Sequence, residues 1–157
     1  MDVKVIKEIV RCKICGQKNE FYYLSDFSYG ERLALYSSGE KYAYINLLSD
    51  SAYKEVCELI EEYLAGNKVV ISDMEFGNIF DYVFGDICDC IDGDNIDLDL
   101  DKKKCSKCHK DEFEEVLLEP EEIVTIDIPQ IQHSHWDKLA KEDKKKSVEK
   151  IIAQYSL

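Results

Sequence analysis

The sequence has far fewer basic than acidic residues, has few prolines and carries none of the usual catalytic signatures. Twenty Lys and Arg stand against 33 Asp and Glu, for a formal net charge of −13 and a pI near 4.6. A surface of that average sign repels phosphate backbones and anionic headgroups, so nucleic acid and membrane are poor partners. A basic protein is the partner that such a field favours. No apolar run approaches the roughly 20 residues of a membrane-spanning helix. Met1 to Val10 is charged where a signal peptide would have its apolar core, and the expected location is the cytoplasm. There are only two prolines and no Gly/Ser- or Pro-rich linker, so residues 1–157 are expected to form a single domain. A nucleophile elbow, a Walker loop, a dinucleotide fingerprint and a His-Glu-x-x-His motif are all missing, which removes the commonest routes to an enzyme.

Ten Tyr, six Phe and one Trp within a 45% hydrophobic chain can fill a real core. The pattern reads as α+β. β-Branched residues from Val3 to Cys12 precede Cys-Lys-Ile-Cys-Gly and then aromatic Glu20 to Leu24, giving a strand, a tight turn and a strand. A second hairpin is predicted from Arg32 to Asn46 around Ser37-Ser38-Gly39-Glu40, and these four strands are expected to share one antiparallel sheet. Ala52, Val56, Leu59, Ile60, Tyr63 and Leu64 recur at helical spacing behind Ser49 or Asp50, with Gly66-Asn67 as the stop. A second helix is predicted from Ser72 or Asp73 to Phe84, stopped by Gly85. Ile87 to Ile91 and Ile96 to Leu100 read as strands joined by Asp92-Gly93-Asp94-Asn95, and Glu112 to Leu118 and Ile123 to Ile128 as two more strands on either side of Pro120. Ser134 is placed to cap a short helix carrying Trp136 and Leu139, and Val148, Ile151, Ile152 and Tyr155 mark another from about Asp143. The expected layout is a two-helix, acidic insert over 47–101 and C-terminal helices over 134–156.

Seven cysteines is an odd number, and four of them form two Cys-x-x-Cys pairs: Cys12 and Cys15, and Cys105 and Cys108. Such a pair on a tight turn sets two thiolates along one edge of a tetrahedron, and two pairs complete a four-sulfur metal site. Iron–sulfur clusters use the same ligands, and the spacing does not separate the two metals. A redox dithiol wants its motif at the start of a helix, whereas β-prone aromatics follow Cys15. Gly16 suits the positive φ that aims backbone amides at sulfur; His109 stands in the equivalent place of the second pair. On these residues, Val10 to Leu24 and Lys104 to Leu118 resemble the zinc-ribbon group, which is built from two rubredoxin-type knuckles. The resemblance implies that Cys12, Cys15, Cys105 and Cys108 hold a structural Zn2+, and it implies no activity. Roughly ninety residues separate the pairs, where most ribbons have a short connection. Loop closure over that length costs only a logarithmic increment more.

Three further groups are candidates for chemistry. Cys88 and Cys90, two apart in an expected strand, face the same way and could join His109 or Cys57 around a second metal, although Cys57 on its apolar helix reads as core. The run Asp86, Asp89, Asp92, Asp94, Asp97, Asp99 and Asp101 lacks EF-hand spacing and reads as a solvated or partner-binding acidic edge. His133 and His135 flank a turn beside Asp137, and could serve a metal or acid/base site.

The composition therefore favours a non-enzymatic intracellular protein-binding module, of which an acidic immunity or antidote protein that neutralises a basic toxin is a concrete form. A metal-dependent hydrolase or thiol oxidoreductase is the first alternative. A nucleic-acid-binding ribbon is the second, and it requires a basic face.

Overall fold

Strand β1 (Asp2–Cys12) organises the first sheet because it is long enough to serve three partners. The computed structural model describes residues 1–26, 29–36, 41–98, 103–116 and 122–155. On one edge of β1 lies β2 (Lys18–Leu24), antiparallel from the Val5–Leu24 pair to the Arg11–Lys18 pair. The other edge is shared end to end by β6 (Phe113–Val116), opposite Ile9–Cys12, and β7 (Glu122–Asp127), opposite Asp2–Lys7. The buried residues of β1 change from Val3 and Val5 to Val10 and Cys12. A strand that alternates strictly keeps one parity per face, so the switch turns Cys12 inward at the far end.

The predicted hairpin is present as β3 (Glu31–Tyr36) and β4 (Tyr42–Asn46), but it belongs to a second sheet, β4-β3-β5, in which β5 is only Ile96–Asp97. The expectation of one sheet fails because β3 and β4 are buried on both faces. Leu33, Leu35, Tyr42 and Tyr44 pack on Val3 and Val5 of the first sheet and on Ile128 just past β7. Ala34, Tyr36, Ala43 and Ile45 pack on the helices. Small Ala34 and Ala43 are core residues, which makes this hairpin the middle of three layers. After β7 the chain crosses to this layer, where the Tyr44 amide donates to the Pro129 carbonyl at 2.9 Å and the Ile131 amide to the Tyr44 carbonyl at 2.8 Å.

Helix α1 (Ser51–Gly66) starts behind Asp50, whose carboxylate accepts the Ala52 amide at 2.8 Å, and buries Ala52, Val56, Leu59, Ile60 and Leu64 as its spacing predicts. Helix α2 (Asp73–Ile87) is capped by Ser72, which accepts the Glu75 amide. It runs through Gly85 rather than stopping there. A Cβ on Gly85 would lie 2.8 Å from the Ile96 carbonyl oxygen, so this glycine allows β5 to approach the helix. The expected strand at Ile87 to Ile91 is replaced by the end of α2 and an irregular segment. The turn at Asp92 and Gly93 forms, with φ of 52° and 80°. Helix α3 (Ser134–Asp137) is a single turn that carries buried Trp136, and α4 (Lys141–Tyr155) packs Val148, Ile151 and Ile152 against α1 and α2. The predicted turn at Ser37 to Glu40, and Asp99, Leu100, Asp101, Leu118 and Pro120, lie outside the described residues.

Gly85→Ala is expected to cost about 1–3 kcal/mol, because the clash is with backbone and not with a mobile side chain. Gly77→Ala in the same helix meets nothing within 4 Å and is expected to stabilise by about 0.5–1 kcal/mol. Urea denaturation of the two variants checks the contrast.

Candidate metal centre

The end of β1 and the approach to β6 carry two turns of the same design. In the first, the Gly16 amide donates to the Cys12 carbonyl at 3.0 Å and the Cys12 amide to the Gln17 carbonyl at 2.9 Å. In the second, the His109 amide donates to the Cys105 carbonyl at 2.9 Å and the Cys105 amide to the Lys110 carbonyl at 2.8 Å. Gly16 at φ 76° and His109 at φ 60° hold the same left-handed position. The missing glycine is therefore met by a residue that tolerates that conformation. Pairing of β6 with β1 then sets the turns face to face, and the Lys13 amide donates across to the Glu112 carbonyl at 2.9 Å.

The four sulfurs lie within 4.8 Å of one another. The Cys12–Cys108 and Cys15–Cys105 Sγ pairs are each 3.5 Å apart. Cys12 and Cys105 are buried, while Cys15 and Cys108 are partly exposed. Two chain segments separated by about ninety residues thus present a closed set of four soft donors.

Asn19 joins the turns and escaped the sequence reading. It is buried, its Nδ2 donates to Cys105 Sγ at 3.5 Å and to the Gln17 carbonyl at 3.2 Å, and its Oδ1 accepts the Ser106 amide at 2.9 Å. A buried amide four residues after a cysteine has no motif to announce it. Its signal is structural: a side chain from the first turn satisfies donors of the second.

The thiols share their charge unevenly. The Cys108 amide, with Asn19 and the Lys107 amide, draws Cys105 down to about 6 against the cost of burial. Backbone donors of Cys15 and Ile14 lower Cys12. The Lys110 amide acts in the same sense on Cys108, yet burial and proton sharing with the other sulfurs leave Cys108 raised to about 12. Backbone amides thus favour the first thiolates, and burial with hydrogen bonds among the sulfurs holds the last proton. A cation at the centre removes that conflict, so the donor set fits a dication.

The other candidates are not brought together. Among the described residues the four cysteines are the one group of His, Cys, Asp and Glu placed to share an ion. Cys88 ends α2 and is buried, which pushes its thiol far up; Cys90 is exposed and donates to Asn95 Oδ1 at 3.0 Å. Without the expected strand, they do not share a face. Cys57 packs beside the helical core, and burial raises its thiol. Of the acidic run, Asp92 pairs with Lys41 at 3.5 Å, and Asp89 accepts the Ser134 amide at 2.9 Å, the Ser134 hydroxyl and the His135 amide at 3.4 Å. Asp89 therefore caps α3 from a distance. Ser134 is not the N-cap as predicted; that position belongs to His133, which makes no side-chain cap bond.

His133 is buried between two carboxylates. Its Nε2 meets Asp50 Oδ2 at 2.8 Å, and its Nδ1 meets Asp137 Oδ1 at 2.9 Å. The bond to Asp50, reinforced by the charge of Asp137, raises the imidazole to about 9 against desolvation. Burial pushes the Asp50 carboxyl up, but His133 and the Ala52 amide outweigh it and hold it below its usual range. The result is a charged clamp between the start of α1 and α3, with both ring nitrogens occupied.

Because the folded pKa exceeds the unfolded value of 6.5, the clamp contributes fully below pH 6.5 and is lost as pH rises through about 9. His133→Gln is expected to cost on the order of 2–3 kcal/mol near pH 6, with the difference from the parent chain shrinking towards pH 10. Denaturation of both chains across that range checks it; a pH-independent difference contradicts the clamp.

Comparison with protein families, curated proteins and solved structures gave no match, so a functional reading has geometry and charge to stand on.

Proposed function

We propose that Cys12, Cys15, Cys105 and Cys108 hold one structural zinc ion in a zinc-ribbon-like centre, and that the chain is a non-enzymatic module that binds a basic protein partner. The observation that carries the zinc reading is the convergence of four sulfurs within 4.8 Å. A tetrahedron of zinc–sulfur bonds near 2.3 Å has edges of about 3.8 Å, and the two 3.5 Å sulfur pairs are close to that. Four protein ligands leave no open position for substrate, which is the pattern of a structural and not a catalytic ion. Such a centre contributes on the order of 10 kcal/mol to the folded state. The net charge of −13 supports the partner class, since it speeds encounter with basic surfaces. An antidote to a basic toxin remains the concrete form of this role. The hydrolase alternative loses support at His133, whose ring nitrogens are both engaged by carboxylates.

A second reading has one observation in its favour. The turns join Arg11, Lys13 and Lys18 to Lys103, Lys104, Lys107 and Lys110, and no carboxylate occurs within 10–19 or 103–110. All but Lys103 are exposed. Such a cluster supports the basic face that binding of nucleic acid by a ribbon requires, with Glu114 opposite Arg11 set against it. RNA binding that weakens with salt and with Lys13→Glu and Lys107→Glu would favour it over the basic protein partner.

Elemental analysis of the purified chain is expected to find one zinc per molecule, and Cys12→Ser or Cys105→Ser to abolish it and to destabilise the first sheet ahead of the helical layer. Iron in place of zinc would overturn the assignment. Asn19→Ala is expected to weaken zinc binding about 10- to 100-fold in a chelator competition while leaving all four ligands in place.

A further inference from the structure

A cavity of about 470 Å³ opens between the end of α2, α3 and one face of α4, well away from the cysteine cluster in sequence. Its size falls within the roughly 300–1,000 Å³ of small-molecule sites. Apolar Ile87, Trp136, Leu139 and Ile151 form part of its lining. Its two sides carry opposite charge.

On the α2 side stands Asp86, which forms no ion pair with any described residue. The last turn of α2 holds no basic residue, and the Asp89 amide, the helical donor for the Gly85 carbonyl, turns away to the Gln132 carbonyl at 2.8 Å. A carboxylate beside the negative end of a helix attracts an ammonium group. Asp89 takes no part, because its carboxylate is committed to Ser134 and His135.

On the α4 side, Ser147, Lys150, Ile151 and Gln154 lie at helical spacing on the face that lines the cavity, and Lys150 likewise forms no ion pair with any described residue. A cation alone would be repelled by Lys150, and an anion alone by Asp86 and the helix end. We propose that this cavity binds a small zwitterion with an apolar side chain, an α-amino acid or a dipeptide. Asp86 and the end of α2 take its ammonium group, Lys150 with Ser147 and Gln154 takes its carboxylate, and the side chain lies on Trp136 and its neighbours.

Trp136 is the single tryptophan, so its fluorescence in the full chain reports on the site. Titration with L-leucine or leucyl-leucine is expected to give a saturable change, the tighter of the two indicating how much of the cavity is filled. Leucinamide, without the carboxylate, and N-acetyl-leucine, without the ammonium, are each expected to bind about tenfold more weakly. Asp86→Asn should abolish the advantage of leucine over N-acetyl-leucine, and Lys150→Met its advantage over leucinamide. Both residues are exposed, and circular dichroism confirms that the variants fold. The proposal is overturned if neither zwitterion changes the emission, if either capped analogue binds as tightly as leucine, or if both variants bind leucine as the parent does.

Discussion

The antiparallel pairing of β6 with the end of β1 is the contact on which the rest depends. It closes a loop of about ninety residues and brings one cysteine turn against the other. The entropic cost of closure rises only logarithmically with length, so a long insert is tolerated if the contact itself is strong. Four backbone registers, from Ile9 with Val116 to Cys12 with Phe113, are a short ladder for that purpose. The Phe21 and Phe113 rings, 5.3 Å apart edge to face, and buried Asn19 add to it. A metal at the four sulfurs would supply what such a short ladder lacks, and this is the physical reason to expect one here.

The larger core joins inserted residues to the C-terminal helices and contains none of the four cysteines. Ala34, Tyr36, Ala43 and Ile45 of the middle sheet meet α1, α2 and α4 over buried Trp136. His133 ties the start of α1 to α3, and Lys144 adds a 2.7 Å bond to Glu55 while lying 5.4 Å from the Trp136 ring. Were a metal held at the turns, its loss would be felt first there and in the first sheet, with the helical layer held by its own packing and ion pairs.

Legibility from sequence followed the range of the physics. Helix α1 was plain because its stripe and its Asp50 cap are local, and the cysteine turns because their spacing is itself the geometry. What required another element was hidden. Gly85 reads as a stop until the Ile96 carbonyl is placed against it. Ser134 reads as a cap until Asp89 arrives from 45 residues away. Ala34 and Ala43 look like filler in a one-faced hairpin, yet are core when both faces are covered. The histidines suggested chemistry because Asp50, the partner that engages Nε2, lies 83 residues from His133.

Charge is distributed so that net values mislead. The whole chain carries −13, but residues 10–19 and 103–110 carry seven cations and no carboxylate. At physiological salt, charges separated by more than about 8 Å barely sense one another, so the local balance at the cysteine turns, including Glu114 opposite Arg11, counts for more there than the total. A tetrathiolate zinc centre is itself dianionic, and nearby lysines offset that charge in part. The acidic remainder governs solubility and the approach of partners from a distance, whereas the turns govern what can be held there. Stretches of opposite sign in one chain act over different ranges, and neither sign alone identifies the function.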